Sequence, residues 1–358
     1  MKSIPLEDVV PLFDGHVDCL RDAGRLHPVR YRASDAPFLE HHLKVVATFA
    51  AGIRLRFKTD SRTLRFGLVH IRAYLSGYEW QTKEFELCMD ALPMRGLVAT
   101  GGAQLVAGGA IAGNPLALLT LEDLPPGDKE IELWLPYTAF TSFASLEIDD
   151  DAYIEPWPDR RRRILFHGSS ITQAIEANSG RQTWPAIASA KADARHLNLG
   201  WSGCCLISGF AARILRDEPA DAIVLELGAN VFDAGVLKER TFLDSTHSML
   251  SIIREKHGET PIAVISPISW KIGDEVASGD GINLGRMREL LAHIVAVRRA
   301  AGDSNLHYLS GTDLSGPADL DNLPDGTHPN EEGNRLMGER FYEHMLAPGK
   351  PLALDASS

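Results

Sequence analysis

The sequence predicts two domains, an all-β sandwich of the jelly-roll type over residues 1–157 and an α/β domain with a parallel sheet over residues 158–347. Three observations predict this architecture. The 358 residues suffice for about two cores at roughly 150 residues per domain. Apolar residues recur with period two in the first half, and short apolar segments alternate with amphipathic ones in the second. The tail, residues 348–358, is expected to fray.

The period-two pattern extends from about residue 44 to residue 150. Apolar Ile53, Leu55 and Phe57 alternate with basic residues, and residues 130–135 repeat the alternation. Such a pattern predicts half-buried strands, with one face in the core and the other in water. Because Gly, Pro and Asp interrupt the pattern at short intervals, we expect an antiparallel sandwich of several short strands.

After Pro158 the pattern changes to short, continuously apolar segments separated by amphipathic stretches. The strand candidates are Ile164–His167, His196–Leu199, Ala222–Leu227, Ile262–Ser266 and Leu306–Leu309. Strands that are apolar on both faces are typical of a parallel sheet covered by helices. A last helix is predicted to begin near Asn330, because Glu331 and Glu332 occupy the first turn, where the helix dipole favours acids.

Composition and charge exclude several classes of partner. The chain has 36 Lys and Arg against 48 Asp and Glu, a net charge of -12, and this field repels nucleic acid and anionic membranes. The first twenty residues contain acids where a signal peptide needs an apolar run, and no segment reaches the ~18 apolar residues of a membrane helix. We therefore expect a cytoplasmic protein with reduced cysteines, and no pattern indicates its oligomeric state.

Residues able to carry chemistry follow four of the five predicted strands. They are Ser169 and Ser170 after the first strand, Gly203 after the second, Asn230 after the third, and Asp325 and His328 after the fifth. An open parallel sheet binds its ligands beyond the carboxyl ends of its strands, so we expect these residues to converge.

These residue types suit nucleophilic attack on a carbonyl. A serine hydroxyl needs a neighbouring imidazole to take its proton, and His328 is the candidate base. The imidazole in turn needs a carboxylate to fix its tautomer, and Asp325 lies three residues earlier in the same loop. The oxyanion that forms needs fixed donors. The backbone N–H groups of Ser170 and Gly203 and the side-chain amide of Asn230 are the candidate oxyanion hole.

In order and spacing these residues resemble the blocks of the SGNH (GDSL-type) hydrolase superfamily. The matching positions are Ser170, Gly203, Asn230 and His328, with Asp325 three residues before the histidine. The resemblance extends to the branch of the family with an N-terminal β-sandwich, which includes acyltransferases. It implies a flavodoxin-like, three-layer α/β/α catalytic domain, a catalytic triad of Ser170, His328 and Asp325, and no cofactor or metal.

Two positions depart from the family pattern. The Asp that usually precedes the nucleophile is Ser169, and the Asp that often follows the third-block Asn is Val231. The first departure leaves two adjacent serines as candidate nucleophiles. Ser170 is preferred because it occupies the third position of the Gly-x-Ser block.

We interpret the chain as a serine esterase that acts through an acyl-enzyme on a small ester, such as an acetylated carbohydrate or metabolite. A short acyl group is preferred because no long apolar lid segment occurs. One alternative is an acyltransferase that uses the same acyl-enzyme. Another is a catalytically inert protein whose sandwich binds carbohydrate.

Five further residues have competing interpretations. Trp270, in the loop after the fourth strand, either lines the substrate pocket or anchors its loop. His41 and His42 suggest a metal site, but on a strand their side chains would point to opposite faces, so no metal is expected. Cys204 and Cys205 are interpreted as buried packing residues, since His328 is better explained as the partner of a serine.

Overall fold

The computed structural model describes residues 1–73, 85–106, 109–278 and 281–354. Its contacts divide the chain into two compact units. The first unit comprises residues 1–36, 47–160 and 178–181, and the second comprises residues 37–46, 161–177 and 182–358. This division differs from the predicted boundary in two segments, because residues 37–46 belong with the second unit and residues 178–181 with the first.

The first unit is built almost entirely from strands. They are β1 (Lys2–Ile4), β2 (Phe13–Asp14), β3 (Asp18–Asp22), β4 (Arg25–Val29), β5 (Arg54–Thr59), β6 (Leu64–Ala73), β7 (Phe85–Met89), β8 (Leu92–Leu97), β9 (Thr100–Gly101), β10 (Ala103–Leu105), β11 (Ile111–Ala112), β12 (Leu116–Leu121), β13 (Lys129–Trp134), β14 (Ala139–Ile148) and β15 (Ile154–Pro156). A short helix, α1 (Leu6–Val9), and 3-10 turns at Val10–Leu12 and Ala33–Asp35 complete the unit.

Within the described ranges these strands form two sheets. Strands β2, β5, β7, β8, β13 and β15 form one, and the remaining strands form the other. All pairings are antiparallel except that between β6 and β10. Phe13 of the smaller sheet packs edge-on against Phe143 of the larger one at 5.0 Å between ring centroids. The apolar core therefore lies between the sheets, as expected of a sandwich.

The prediction that β5 is half-buried was wrong for its polar face. Arg54 is 1% exposed and Arg56 is 6% exposed. The Arg54 guanidinium forms ion pairs with Asp14, Glu132 and Asp159, and it lies over the Trp134 ring. Because carboxylates and an aromatic face compensate the charge, the basic side of the strand can be buried as well.

The second unit contains five strands and most of the helices. The strands are β16 (Arg163–Gly168), β17 (Arg195–Gly200), β18 (Ala222–Glu226), β19 (Ile262–Ile265) and β20 (Leu306–Leu309). The helices are α2 (His41–Val46), α3 (Ser170–Gln173), α4 (Trp184–Lys191), α5 (Gly209–Asp217), α6 (Ala229–Asp233), α7 (Glu239–Arg254), α8 (Leu284–Ala300), α9 (Gly311–Leu314) and α10 (Glu331–Phe341). A 3-10 turn at Pro317–Asn322 precedes α10, and a π-helical turn at Tyr342–Leu346 extends it. A further 3-10 turn, Gly180–Gln182, has its first two residues in the first unit and its last in the second.

The five strands are parallel in the order β17-β16-β18-β19-β20. All five predicted strands of this half are confirmed, each within two residues at its ends. The chain leaves β16 for one neighbour and later returns to its other side. The carboxyl end of β16 is therefore the topological switch point at which open parallel sheets bind ligands.

The predicted helix start and the predicted fraying of the tail have clear outcomes. Helix α10 begins after Asn330, whose side chain accepts the N–H of Gly333, so the predicted helix start is confirmed. Instead of fraying, residues 348–353 pack on the unit, with Leu352 fully buried and its N–H bonded to the Met345 carbonyl. Residues 355–358 of the predicted tail lie outside the described residues. Among the described residues, no helix has the length and apolarity needed to cross a membrane.

Candidate active site

The first loop of the site follows β16 and contains both candidate serines. Ser169 caps helix α3, since its Oγ accepts the N–H of Ile171 at 3.1 Å. Ser170 is the first residue of the helix, so its own N–H has no partner within the helix. The two serine side chains therefore have different surroundings. Ser169 is fully buried and Ser170 is 7% exposed.

Ser170 lies against His328, which in turn contacts Asp325. The Ser170 Oγ is 2.7 Å from Nε2 of His328, and Nδ1 of His328 is 2.5 Å from Oδ2 of Asp325. With Nδ1–H donating to the carboxylate, Nε2 has the free lone pair that can accept the hydroxyl proton. The three side chains thus have the geometry of a Ser-His-Asp triad.

A single turn positions the histidine and the carboxylate. Oδ1 of Asp325 accepts the backbone N–H groups of Thr327 at 2.9 Å and of His328 at 2.7 Å. Its other oxygen remains for the imidazole. Pro329 then disfavours helical geometry at His328, and Asn330 caps α10. Local hydrogen bonds therefore hold this pair together, as its three-residue spacing predicts.

Backbone hydrogen bonds hold the two segments that carry Gly203 and Asn230. The N–H of Ser202 donates to Oε1 of Gln173, which attaches the Gly203 turn to α3. The N–H of Cys205 donates to Oδ1 of Asn230 at 2.9 Å. Because the amide oxygen is occupied in this way, the amide nitrogen of Asn230 is the free end of the side chain. Gly203 has φ +71°, a left-handed conformation that glycine adopts without strain.

The unit that holds these loops matches a known protein family. The model of the GDSL-like lipase/acylhydrolase family matches residues 161–346, just over half of the chain. The chain belongs to this family. No curated protein matches the sequence significantly.

Several solved structures resemble this GDSL-like protein over nearly its whole length. The salicylyl-acyltransferase SsfX3 from a tetracycline biosynthetic pathway shares 26% identity with a TM-score of 0.83, and the alignment covers 95% of each chain. A GDSL-like lipase from Bacteroides ovatus shares 23% identity with a TM-score of 0.72 over 95% of each chain. A family two carbohydrate esterase from Clostridium thermocellum, solved with cellohexaose, shares 16% identity with a TM-score of 0.59 over 82% of this chain and 91% of its own.

The family membership makes this chain an ester-hydrolysing enzyme, and it supports acyl-enzyme chemistry of the esterase or acyltransferase type. Ser170, Gly203, Asn230, Asp325 and His328 all lie in the matched range. The matched range contains all four loops of the site. The hydrogen bonds described above link those loops within one unit.

The two cysteines beside Gly203 are buried thiols. Burial raises the pKa of the Cys204 thiol to about 12, with a smaller contribution from Glu40. Burial also raises the pKa of Cys205 well above its usual range, and Glu226 acts in the same direction. A thiol needs a lowered pKa to act as a nucleophile near neutral pH. Both residues therefore fit the expected packing role.

Trp270 and the histidine pair occupy defined positions in this unit. Trp270 is 6% exposed, and its ring packs edge-on against Phe232 at 5.2 Å, a contact typical of a loop anchor. Its role in the substrate pocket stays a prediction. The prediction that His41 and His42 lie on a strand was wrong, because both belong to helix α2. No group of three or more potential metal ligands occurs in the described ranges.

The family pattern did not indicate two residues that the structure brings to the site. His42 lies beside Gly203, since a Cβ built on that glycine would be 3.2 Å from Cε1 of the imidazole. Glu226 lies at the end of β18, fully enclosed beneath the serine loop. A signal for Glu226 was present in the sequence, since an acid at the end of an otherwise apolar buried strand is unusual.

Proposed function

We propose that this GDSL-like enzyme is a serine esterase with Ser170 as nucleophile, His328 as general base and Asp325 as the residue that orients the histidine. The observation that carries the proposal is the continuous hydrogen-bonded path from the Ser170 hydroxyl through the imidazole to the carboxylate. The Ser170–His328 bond supports proton transfer, and the His328–Asp325 bond supports tautomer selection and stabilisation of the imidazolium.

In the acylation step, Oγ of Ser170 attacks the acyl carbonyl carbon while Nε2 of His328 takes the hydroxyl proton. The carbonyl oxygen becomes an oxyanion, which the N–H groups of Ser170 and Gly203 and the Asn230 amide bind. The bond to the leaving alcohol then breaks, and the alcohol receives the proton from His328. An acyl-Ser170 enzyme remains.

Water completes the reaction in the esterase. His328 takes a proton from the water as the hydroxide attacks the acyl carbon, and then returns a proton to Oγ of Ser170 as the acid leaves. We expect a short acyl group, because no long apolar lid segment occurs in the sequence. Small acetylated metabolites and carbohydrates are therefore the first substrates to test.

An acyltransferase is the second candidate, and the similarity to SsfX3 favours it. In that reaction an acceptor hydroxyl or amine replaces water at the same acyl-enzyme. The chemistry at Ser170 is unchanged, and the outcome depends on whether an acceptor or water reaches the acyl carbon first.

The decisive experiment is hydrolysis of p-nitrophenyl esters from acetate to decanoate, combined with labelling by a fluorophosphonate probe. The wild type should hydrolyse the short esters and label at one serine, and Ser170→Ala should lose both properties. Ser169→Ala is the matched control, since it removes the adjacent hydroxyl and should still label. A fully active Ser170→Ala variant would overturn the assignment.

Product analysis separates the two candidates. The wild type should release free acid from the esters even when alcohol or amine acceptors are added. If transfer products form with no free acid, the acyltransferase is correct. If the wild type neither labels nor hydrolyses any ester but binds glycans, the protein is an inert carbohydrate-binding module.

A further inference from the structure

The carboxylate of Glu226 lies directly beneath the loop that carries the two serines. Its Oε2 accepts three hydrogen bonds, from the backbone N–H of Ser169 at 2.7 Å, from the Ser169 hydroxyl at 2.6 Å and from the Thr172 hydroxyl at 3.2 Å. All three donors flank Ser170 within a stretch of four residues. A Cβ on Gly168 would lie 2.6 Å from the same oxygen, so the loop is in close contact with the carboxylate.

This carboxylate is costly to bury. Glu226 is 2% exposed, and its Oε1 has no hydrogen-bond partner in the described part of the chain. Burial raises the pKa of Glu226 to about 6, and the hydrogen bonds from Ser169 and Thr172 oppose that rise. An apolar side chain at the end of a buried strand would avoid this cost. The hydrogen bonds that the carboxylate accepts must therefore offset this cost.

The Ser169 hydroxyl connects Glu226 to the nucleophile's backbone. A hydroxyl has a single proton, and here it donates that proton to Glu226. Its lone pair is therefore directed to the N–H of Ile171, which it accepts as the cap of α3. Since Ser170 lies between these two residues, the hydrogen bonds fix its backbone on both sides. Its Oγ and its N–H are both positioned by that backbone.

His328 and Cys205 are titratable groups that interact with the Glu226 carboxylate. His328 interacts with Glu226 electrostatically across the loop, and Asp325 lies on the far side of that imidazole. The Cys205 thiol lies 3.5 Å from the backbone oxygen of Glu226, and the His167 imidazole contacts the same thiol. Both neighbours are buried. The negative charge of Glu226 therefore favours the imidazolium that forms when Ser170 attacks.

We propose that Glu226 is a positioning residue for Ser170 and acts through the hydroxyl and the N–H of Ser169. The proposal rests on the function proposed above. It gives β18, the strand that carries Glu226, a role in catalysis. None of the residues of the family pattern lies on this strand. It also assigns a role to Ser169, the position at which this chain departs from the usual Asp.

The test is a double-mutant cycle with Glu226→Gln, Ser169→Ala and the combined variant. Both single substitutions are conservative in volume, and unfolding curves establish that each variant is folded. Each single variant should lower kcat for p-nitrophenyl acetate about tenfold, with KM nearly unchanged, because the nucleophile is displaced and substrate binding is not. The combined variant should be no more than about twofold slower than the slower single variant, since both changes interrupt one path.

Two further variants extend the test. Glu226→Ala removes the acceptor as well as the charge and should be slower than Glu226→Gln, which retains an acceptor oxygen. Thr172→Val removes only the longest of the three hydrogen bonds and should have the smallest effect. Labelling by the fluorophosphonate probe should slow in parallel with kcat, because it depends on the same nucleophile.

The possible outcomes are distinct. Folded variants with the kcat of the wild type, or single effects that multiply in the combined variant, would overturn the positioning role. A wild type that neither labels nor turns over any ester would instead overturn the proposed function itself. A rise in KM with unchanged kcat would place Glu226 in substrate binding and would also contradict the proposal.

Discussion

The backbone N–H of Cys205 donates to Oδ1 of Asn230 at 2.9 Å. This bond joins the loop after β17 to the loop after β18, and it determines which end of the Asn230 amide is free. The nitrogen of the amide can then donate to an oxyanion. The sequence shows only that an Asn occupies this position, whereas the hydrogen bond determines how the side-chain amide is oriented.

Asn230→Ala should therefore lower kcat for p-nitrophenyl acetate by roughly 100-fold to 1,000-fold, with a small change in KM, because the donor acts on the transition state. Asn230→Asp retains the acceptor for Cys205 and replaces the donor by an anion, so it should be at least as slow. Steady-state kinetics on folded variants measure both. An Asn230→Ala variant within twofold of the wild-type kcat would contradict the role of the amide.

Gly203→Ala should impair the enzyme for two reasons. The left-handed backbone at Gly203 costs an alanine about 1 kcal/mol, and the new Cβ would meet the His42 ring at 3.2 Å. Kinetics should show a loss of about tenfold in kcat, as the N–H moves away from the oxyanion. Combining Gly203→Ala with His42→Ala relieves the contact and should restore part of the loss. No recovery would indicate that backbone strain alone is responsible.

The sequence predicted the parallel half of the molecule well, because the patterns that identify its strands and turns lie within short segments of the chain. Five continuously apolar segments became the five strands, and the Asp325 and His328 pair is held by hydrogen bonds within one turn. The start of α10 depends on the Asn330 cap and the two acids that follow it. Each of these features depends on residues close together in the chain.

The features that sequence reasoning missed depend on distant partners. Arg54 is buried because Asp14 and Asp159 reach it from segments far away in the chain. Residues 37–46 belong to the second unit although they precede most of the sandwich. Glu226 finds its partners 54 to 57 residues earlier. No periodicity within a short window reports such pairings, so only the folded chain reveals them.

Arg54→Leu should destabilise the sandwich strongly. The substitution removes the cation that Asp14, Glu132 and Asp159 share and leaves Arg56 beside only two of them, and removal of one partner from a buried ion network costs about 3–5 kcal/mol. Lys58→Leu on the same strand is the matched control, since the side chains of Lys58 and its partner Glu130 are 39% and 36% exposed. Urea unfolding should give a lower midpoint for Arg54→Leu and a nearly unchanged one for Lys58→Leu. Equal midpoints for the two variants would contradict the network's contribution.

The raised pKa of Glu226 predicts a dependence of stability on pH. Burial raises this pKa from 4.5 to about 6, so the native state holds the proton more tightly than the unfolded chain does. The stability from this group is complete below pH 4.5 and is lost as the pH rises through about 6. The loss amounts to roughly 2 kcal/mol.

Glu226→Gln removes this titration and serves as the reference protein, since it differs from the wild type only at this carboxylate. The free energy of unfolding of the wild type, relative to that of Glu226→Gln, should therefore fall by roughly 2 kcal/mol between pH 4 and pH 7. Urea unfolding of both proteins at several pH values measures the difference. A difference that stays constant across this range would mean that the carboxylate has the same pKa in the folded and unfolded chains, contrary to its burial beneath Ser169.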